Sequence, residues 1–356
     1  MGTDRRDTIV TVGSALVDIL ARADEGFLAS SGGVKGGMIY VEREVIERTV
    51  SRLPEPPAVV PGGSACNTAV GVARLGGRAR FVGKRGRGRM GDFLERALRE
   101  NRVEPRLFGS EKPTGRVLSV VTPDAQRSMF TFLGAAAEAR PEEIAPELFA
   151  DAAIVHIEGY LLYNPALIRR ALEAARDAGA RISLDLASHN VVAAAREELA
   201  RLVRDYVDIL LANEDESRAY TGEADPGRAL EALRGEVEVA VVKLGARGSL
   251  IAAGAETHAV PARGDGRALD TTGAGDLWAA GFLYGLVRDR PLPECGAIGS
   301  ACGYEVCQVL GASIPEEGWR RIRRIVESLG AGSPAAATNL SPPTPRAGAG
   351  QETEEG

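Results

Sequence analysis

The segment "AIVHIEGYLLYNPALIRRALEAARDAGARISLDL", residues 153–186, carries the clearest secondary-structure pattern in the chain. Two short strings of aliphatic residues, at 153–159 and 181–186, flank a longer segment with helical spacing. Strands this uniformly apolar are typical of a sheet that is covered on both faces. We therefore predict a β-α-β unit whose two strands lie parallel.

The same alternation continues on both sides of this unit. Strand-like and helical segments follow one another at 8–13, 65–76, 79–83, 191–205, 208–213, 214–220 and 237–245. Repeated β-α-β units build a parallel sheet with helices on each face. We predict an α/β fold, organised as three α/β/α layers around a mostly parallel central sheet.

Two segments, about 16–45 and 114–134, depart from the alternation. They contain "GMIYVE", "GRVLSVVTP" and "RSMFTFLG", which we interpret as antiparallel strands joined by turns. We expect them to form a small sheet without a core of its own, inserted in a single domain at 7–330 as a lid over a cleft. The remainder, 331–356, is rich in Pro, Ala, Gly and Ser and is predicted to be disordered.

The composition and net charge of the chain limit the kinds of partner that we expect it to bind. With 44% apolar residues in 356, the chain can bury a full core, and its net charge of -6 argues against nucleic acid as a partner. The N-terminus lacks a secretory pattern, and no apolar run is long enough for a membrane span. Four cysteines without metal-ligand spacing are expected to be buried thiols, and we expect a cytoplasmic protein.

A run of small residues between two acids, "LDTTGAGDLWAAGFLYGL" at 269–286, precedes an apolar helical pattern. Gly273, Ala274 and Gly275 would lie at a helix N-terminus, where free backbone N–H groups and the helix dipole favour an anion such as phosphate. Asp276, in the first turn, would then lie beside that anion, placed to accept a proton from an attacking hydroxyl. The alternative is an ordinary helix start with a dipole-matching acid.

A second glycine-rich helix start occurs at 61–77, "PGGSACNTAVGVARLGG". Gly62 and Gly63 would allow a ligand to approach the backbone, and Asn67 offers both a donor and an acceptor to hydroxyl groups. The alternative is a glycine turn followed by a capped helix.

Together, these two motifs resemble the two signatures of the PfkB family of carbohydrate and nucleoside kinases, which has the ribokinase-like fold. The resemblance extends to "ANEDE" at 212–216 and "KLGARGS" at 243–249, and covers most of residues 8–330. Within the family, "RVLSVVTPDAQRSMFTFLGAA" at 116–136 and "IEGYLL" at 157–162 look most like the adenosine-kinase-like branch.

The resemblance implies an ATP- and Mg²⁺-dependent kinase. Asp276 matches the catalytic base, and the amides of Gly273–Gly275 match the anion hole for the transferred phosphoryl group. Asn213 and Glu216 match a pattern that acts through water on Mg²⁺ and phosphate, although a strand end followed by a helix cap would show the same residues.

The remaining family positions are also implied by the resemblance. Asp18 matches the acid that takes two substrate hydroxyls and, with Gly63 and Asn67, would define a sugar pocket. Arg127 matches a lid position that reaches ATP phosphates, with a solvent-exposed arginine as the alternative. Asp270 and Thr272 match a monovalent cation site, K⁺ in many members, with further carbonyls expected near Gly311.

One motif departs from the family pattern, and another is typical of a different class of protein. Lys243 replaces a more usual threonine, while Gly245 and Gly248 remain to border the nucleotide; whether Lys243 holds phosphate or faces solvent is left open. Gly86, Gly88 and Gly91 form a G-x-G-x-x-G pattern typical of NAD-binding folds. The following "NRVEPRLFGSEKPTG" is turn-rich, so we predict no second strand there and disfavour an oxidoreductase.

The sequence thus predicts a phosphotransferase acting on the primary hydroxyl of a nucleoside or a sugar. Phe130, Phe132, Tyr160 and Tyr163 are candidates to stack on a purine, with core packing as the alternative. A sugar-phosphate kinase of the same family, a non-catalytic sensor on the same fold and an NAD-dependent oxidoreductase are the rival hypotheses. A monomer or a homodimer through the lid strands is expected.

Overall fold

The computed structural model describes residues 6–124 and 126–330, so the tail at 331–356, for which we expect disorder, lies outside the described residues. The strands are β1 (Thr8–Val12), β2 (Leu16–Arg22), β3 (Met38–Tyr40), β4 (Ala58–Gly62), β5 (Arg78–Gly86), β6 (Val103–Ser110), β7 (Thr114–Val121), β8 (Arg127–Gly134), β9 (Ala152–Glu158), β10 (Arg181–Asp185), β11 (Ile209–Asn213), β12 (Val239–Lys243), β13 (Ser249–Ala253) and β14 (Glu256–Val260).

The α-helices are α1 (Glu25–Ser30), α2 (Arg43–Ser51), α3 (Ser64–Arg74), α4 (Arg89–Glu100), α5 (Pro165–Asp177), α6 (His189–Ala194), α7 (Arg196–Tyr206), α8 (Glu214–Thr221), α9 (Pro226–Arg234), α10 (Ala274–Val287), α11 (Leu292–Cys307) and α12 (Glu316–Gly330). Among these described helices, none combines the length and the apolar character needed to cross a bilayer.

The main sheet has the strand order β14-β13-β12-β11-β10-β9-β1-β5-β6. From β12 to β6 every neighbouring pair is parallel, and β13 and β14 add an antiparallel edge. One buried cluster packs α5, α6, α7 and α9 on one face, and a second packs α3, α4, α10 and α11 on the other. The prediction of three layers around a mostly parallel sheet is confirmed.

The second sheet, which we call the lid sheet, has the order β3-β8-β7-β2-β4. Our expectation of purely antiparallel strands was wrong, because β2 pairs parallel with β7 and β3 pairs parallel with β8. The predicted segments also omitted β4, which pairs antiparallel with β2 and forms one edge. The parallel pairs join strands about a hundred residues apart, and no local turn signal announces such pairing.

The lid sheet also has a small hydrophobic core, contrary to the sequence prediction. Leu28 of α1 and Ile46 of α2 cover the face of the sheet that carries Leu118 and Phe130. Phe132 packs against the same cluster, so neither Phe130 nor Phe132 lies at the cavity described below. The two short helices were not predicted, and they turn the lid into a packed unit instead of a bare hairpin.

The strand β6 corrects a second prediction. Residues 103–110 pair parallel with β5 throughout, although the segment contains Pro105 and Gly109. Since β6 is the edge strand of the main sheet, a proline that cannot donate a hydrogen bond is tolerated there. The β5-α4-β6 unit around the G-x-G-x-x-G pattern therefore exists.

The glycine turn of this unit is nevertheless unlike a dinucleotide site. Arg85 lies over the turn and pairs with Asp92 at 3.1 Å and Glu95 at 2.7 Å. An acid, Glu111, follows the end of β6 as in a ribose-binding fold, but it pairs with Arg87 at 2.6 Å and does not line the cavity described below. None of the three glycines lines the cavity described below.

The helices α10 and α11 form a closely packed hairpin behind the main sheet. A Cβ atom added at Gly281 would lie 2.8 Å from backbone atoms of Ile298 and Gly299. Backbone atoms cannot move aside as a flexible side chain can, so glycine is required for this approach. The contact sets the position of α10, whose first turn carries Asp276.

We predict that Gly281→Ala lowers the free energy of unfolding by about 1–3 kcal/mol through overpacking. The matched control is Gly303→Ala on α11, where the nearest heavy atom to an added Cβ is 3.6 Å away. That change should be neutral or stabilising by up to about 1 kcal/mol, since alanine is the better helix former. Urea denaturation of both variants measures the difference, and equal stabilities would contradict the packing argument.

Candidate active site

A cavity of about 960 Å³ lies between the lid sheet and the carboxyl edge of the main sheet. The four neighbouring strands β9, β10, β11 and β12 end at Glu158, Asp185, Asn213 and Lys243. All four terminal residues line the cavity. Because parallel strands present their carboxyl ends at one edge, polar side chains distant in sequence meet on a single wall.

The carboxylate of Asp276 faces this wall from the first turn of α10. Its Oδ1 accepts a hydrogen bond from Ser64 Oγ at 2.8 Å, and its Oδ2 accepts one from Asn67 Nδ2 at 2.9 Å. Loss of solvent raises the pKa of Asp276, while these two donors act against that rise. Such a carboxylate can accept a proton from a hydroxyl group held nearby. The Asn67 amide, which we assigned to substrate hydroxyls, thus contacts Asp276 in this structure.

The N-terminus of α10 lies beside Asp276 and lines the cavity with Gly273, Ala274 and Gly275. Gly273 is in the left-handed region with φ of 73°, and an added Cβ would approach the Ala312 Cβ to 2.7 Å. The Ala274 N–H donates to the Thr271 carbonyl at 3.1 Å. Small residues and a helix N-terminus together form a surface that suits a phosphate group.

Asp270 anchors the loop that precedes α10. Its Oδ1 accepts hydrogen bonds from the backbone N–H and the hydroxyl of Thr272, at 2.9 and 2.6 Å, and its Oδ2 accepts from the Gly311 N–H at 2.8 Å. Arg127 of the lid donates to Thr272 Oγ1 at 2.5 Å. Arg127 therefore joins the lid to the α10 loop, instead of extending into solvent, and it lines the cavity.

Asp18 lies on the cavity face of the lid, on β2 between Val60 of β4 and Val117 of β7. An added Cβ at Gly62 would lie 2.1 Å from its carboxylate, so a larger residue at that position would displace the Asp18 side chain. Burial raises the pKa of Asp18 to about 7, with Arg127 acting in the opposite direction. Gly63, at φ of 98°, lines the cavity nearby.

Asn213 and Glu216 form a reciprocal capping box at the start of α8. The Asn213 side chain accepts from the Glu216 N–H at 2.9 Å, and the Glu216 carboxylate accepts from the N–H and amide of Asn213 at 2.8 and 2.7 Å. The helix-cap interpretation is therefore correct, and both residues also line the cavity. Burial and the neighbouring Asp185 raise the pKa of Glu216.

Lys243, left open by the sequence, forms an ion pair with Asp185 at 2.6 Å. Both side chains are about nine-tenths buried, at 12% and 10% exposure, and both line the cavity. The Lys243 ammonium therefore faces the wall of carboxylates and not open solvent. Gly245 and Gly248 follow it along the same rim of the cavity.

Sequence reasoning missed three residues of this wall: Ser64, Glu158 and Asp185. Glu158 accepts from the Ser14 N–H at 2.8 Å and the Ala65 N–H at 3.0 Å, which joins β9 to the start of the lid and to α3. Burial raises the pKa of Glu158 to about 7. The available signal was an acid at the end of an apolar strand, in "IVHIEG" and "ISLDL".

Comparison with known proteins agrees with this geometry. Residues 38–318 match the profile of the pfkB family carbohydrate kinase. Fructokinase-1 of Oryza sativa subsp. japonica is 31% identical over 288 residues, which cover 74% of this chain and 89% of that protein.

Two crystal structures are similar over nearly their whole length. The adenosine kinase from Sinorhizobium meliloti is 36% identical with a TM-score of 0.81, covering 90% of this chain and 99% of that one. A "probable sugar kinase protein" from Rhizobium etli CFN 42 is 33% identical with a TM-score of 0.82, covering 92% and 99%.

The fold and the family match define a small-molecule kinase. The chain belongs to the pfkB family of carbohydrate kinases, as the sequence motifs indicated. It is a phosphotransferase of the sugar and nucleoside kinase class with the ribokinase-like fold, and it uses ATP. This membership favours the kinase interpretation over the oxidoreductase and the non-catalytic sensor.

We predict that Asp18→Asn raises the melting temperature by about 2–5 °C at pH 8 and by a smaller amount at pH 5. The folded-state pKa of Asp18, about 7, exceeds the unfolded value, so its contribution to stability is greatest in acid and is lost as the pH rises toward 7. Differential scanning calorimetry at the two pH values measures this. Asp124→Asn is the opposite control, because Lys35 holds the pKa of Asp124 at about 2. A higher melting temperature for Asp124→Asn but not for Asp18→Asn would contradict the argument.

Proposed function

We propose that the enzyme transfers the γ-phosphoryl group of ATP to the primary hydroxyl of a nucleoside, with a purine nucleoside as the preferred acceptor. The observation that carries this proposal is the composition of the lid face opposite the α10 N-terminus. A carboxylate for a ribose diol, Asp18, stands there in an otherwise mainly apolar surface.

The strand register explains how that surface arises. Alternate residues of each lid strand point to the cavity, because successive side chains of a strand lie on opposite faces. The cavity-facing set comprises Leu16 and Asp18 on β2, Val117 and Ser119 on β7, Arg127, Met129, Thr131 and Leu133 on β8, and Met38 and Tyr40 on β3. Aliphatic, thioether and aromatic groups of this kind suit the flat face of a nucleobase.

Tyr160 and Tyr163 extend this surface from the main-sheet side, as we expected for candidate stacking residues. Thr131 adds one polar group to it. The Thr131 Oγ1 is buried and has no hydrogen-bond partner among the described residues. Thr131 lies two strands from Asp18 in one row, about 10 Å away by strand spacing, so the two residues belong to the same face of the lid sheet.

A phosphorylated sugar fits this surface less well. Over the described residues, the basic side chains that line the cavity are Arg127, Lys243, Arg263 and Arg267. Arg127 is bonded to Thr272, and Lys243 to Asp185. Arg263 and Arg267 lie in the segment that passes Gly248 at the nucleotide rim. A free hexose is the second candidate, because the rice fructokinase is 31% identical and Asp18 would also suit a sugar diol.

In the proposed reaction, Asp276 takes the proton of the acceptor hydroxyl. The oxygen of that hydroxyl forms a bond to the γ-phosphorus of ATP. The bond from that phosphorus to the bridging oxygen breaks, and its electron pair leaves with ADP. The α10 N-terminus, Gly273–Gly275, stabilises the charge on the transferred group. We assign Asn67, Gly62 and Gly63 to shaping the acceptor pocket, and Asn213, Glu216, Gly245 and Gly248 to the nucleotide side.

Metal ions and assembly complete the proposal. We assign Asn213 and Glu216 to act through water on Mg²⁺, because side-chain oxygen atoms are the donors that Mg²⁺ prefers and both residues line the cavity. When bound with ATP, Mg²⁺ neutralises charge on the phosphates. We also propose a K⁺ site at Asp270 and Thr272. In this structure the Asp270 oxygens accept hydrogen bonds from the Thr272 hydroxyl and the Gly311 N–H. A homodimer through the lid edges β3 and β4 remains our proposal for assembly.

A coupled ADP-release assay tests the acceptor. We predict that adenosine gives a kcat/KM about 100-fold or more above ribose or fructose, since the base contributes apolar contacts that a free sugar lacks. Fructose 6-phosphate serves as the phosphorylated competitor in the same assay. Turnover confined to phosphorylated hexoses would overturn the nucleoside assignment, and a preference for fructose would favour the second candidate.

We predict that Asp276→Asn lowers kcat by about 10²–10⁴-fold with the fold intact, because the base is lost. Ser64→Ala should shift the acid limb of the kcat profile to higher pH by about half a unit or more, because it removes a donor that lowers the Asp276 pKa.

Thr68→Val is the control for this pH profile. Its hydroxyl donates to the Asp276 backbone carbonyl and not to the carboxylate, so the acid limb should stay in place. Circular dichroism confirms folding of each variant. An unchanged acid limb in Ser64→Ala, or full turnover in Asp276→Asn, would contradict the assignment of the base.

A further inference from the structure

We infer that Lys243 is a catalytic residue that donates to the transferred phosphoryl group, and that Asp185 is the positioning residue that holds its ammonium at the α10 N-terminus. The inference rests on the proposed phosphoryl transfer at Asp276. It does not depend on which acceptor the enzyme uses.

The position of the ammonium is the first observation. A Cβ atom added at Gly275 would lie 3.2 Å from Lys243 Nζ, so this nitrogen lies beside the helix start that would receive the phosphoryl group. Lys243 comes from the end of β12 and Gly275 from α10, and both line the cavity. An ammonium and the α10 amides therefore face the same space.

The charges around the ammonium are the second observation. Asp185 contacts the ammonium at 2.6 Å, and the carboxylates of Glu216 and Asp276 belong to residues that line the same cavity. Such an excess of negative charge repels a polyphosphate unless a cation stands between them. Lys243, paired with Asp185, is a cation that the protein itself provides at this place.

The hydrogen bonds of the ammonium leave room for a ligand. Among the described residues, Asp185 Oδ2 is its hydrogen-bond acceptor, and an ammonium has three donors. The other oxygen of Asp185 accepts from the Ala187 N–H at 2.9 Å. Asp185 is thereby fixed from two sides and can hold Lys243 in place while a second donor points into the cavity.

Ala187 supports a functional interpretation of this arrangement. It is one of three non-glycine residues with positive φ among those described, at 62°, and it lines the cavity. A left-handed alanine is unfavourable by about 1 kcal/mol or more, and such strain concentrates at functional sites. The Asp185 carboxylate holds this strained residue and Lys243 together.

In the reaction, the acceptor oxygen bonds to the γ-phosphorus as the bond to the ADP oxygen breaks, and the hydroxyl proton goes to Asp276. Lys243 then stabilises the negative charge on the equatorial oxygens of the phosphoryl group. The lysine forms and breaks no covalent bond and keeps its proton throughout.

The test compares Lys243→Met, Asp185→Asn and the double variant in full-length enzyme, with the acceptor that gives the highest turnover. Lys243→Met should lower kcat about 30–100-fold and raise the KM for ATP at most about 5-fold, since the contact is strongest in the transition state. Asp185→Asn keeps the ammonium and should retain about a tenth or more of kcat.

Ligand binding gives a readout besides activity. Titration calorimetry with Lys243→Met should show an affinity for a non-hydrolysable ATP analogue lowered about 5-fold, and an affinity for ADP within about twofold of the parent enzyme. Only the analogue carries a γ-phosphate. Equal losses for both nucleotides would indicate a general structural effect and overturn the inference.

Two further variants protect the test from a folding artefact. Lys243→Met alone leaves the Asp185 carboxylate buried without its partner, whereas the double variant removes both charges and should fold with kcat as low as Lys243→Met. Lys84→Met is the matched control, because Lys84 is a buried lysine that pairs with Glu143 at 2.5 Å outside the cavity. It should lower stability and leave kcat unchanged. A folded double variant with half or more of the parent kcat would refute the role of Lys243.

Discussion

Parallel strand pairing places the carboxyl ends of β9, β10, β11 and β12 side by side, and the active-site wall depends on this constraint. In-register hydrogen bonding sets Glu158 against Asp185 and Asn213 against Lys243 as Cα partners. Helices that cover both faces leave the strand ends as the open polar edge of the sheet. Every other feature of the site is positioned relative to that edge, including the α10 N-terminus and the lid.

The wall concentrates carboxylates, and their burial has a cost in stability. The pKa values of Asp18 and Glu158 are raised to about 7, and those of Glu216 and Asp276 are also raised. Ionising such groups at neutral pH destabilises the fold, so they persist for reasons other than stability. Backbone N–H groups, amides and the Lys243 ammonium offset part of this cost.

The main sheet was predictable because its signals are local. Apolar strings and helical periodicity within about thirty residues were sufficient for the β-α-β units, and glycine-rich motifs marked both helix starts at the site. The lid was predicted only in outline, since β2 and β7 pair across about a hundred residues and the short helices α1 and α2 acquire a role only by covering Phe130. The edge strand β6 was missed because proline suppresses a strand prediction without preventing edge pairing.

The sequence by itself determined the α/β class, the two glycine-rich helix starts and Asp276 as a candidate base, because these follow from residue types and spacing within single segments. Asp18 and the Asn213–Glu216 pair became candidates through the resemblance to the PfkB family. Only the tertiary structure decided that Asn67 and Ser64 bond to Asp276, that Arg127 joins the lid to Thr272, and that Lys243 pairs with Asp185 beside Gly275. Such contacts depend on which strands become neighbours, and that choice is made by the packing of the whole chain.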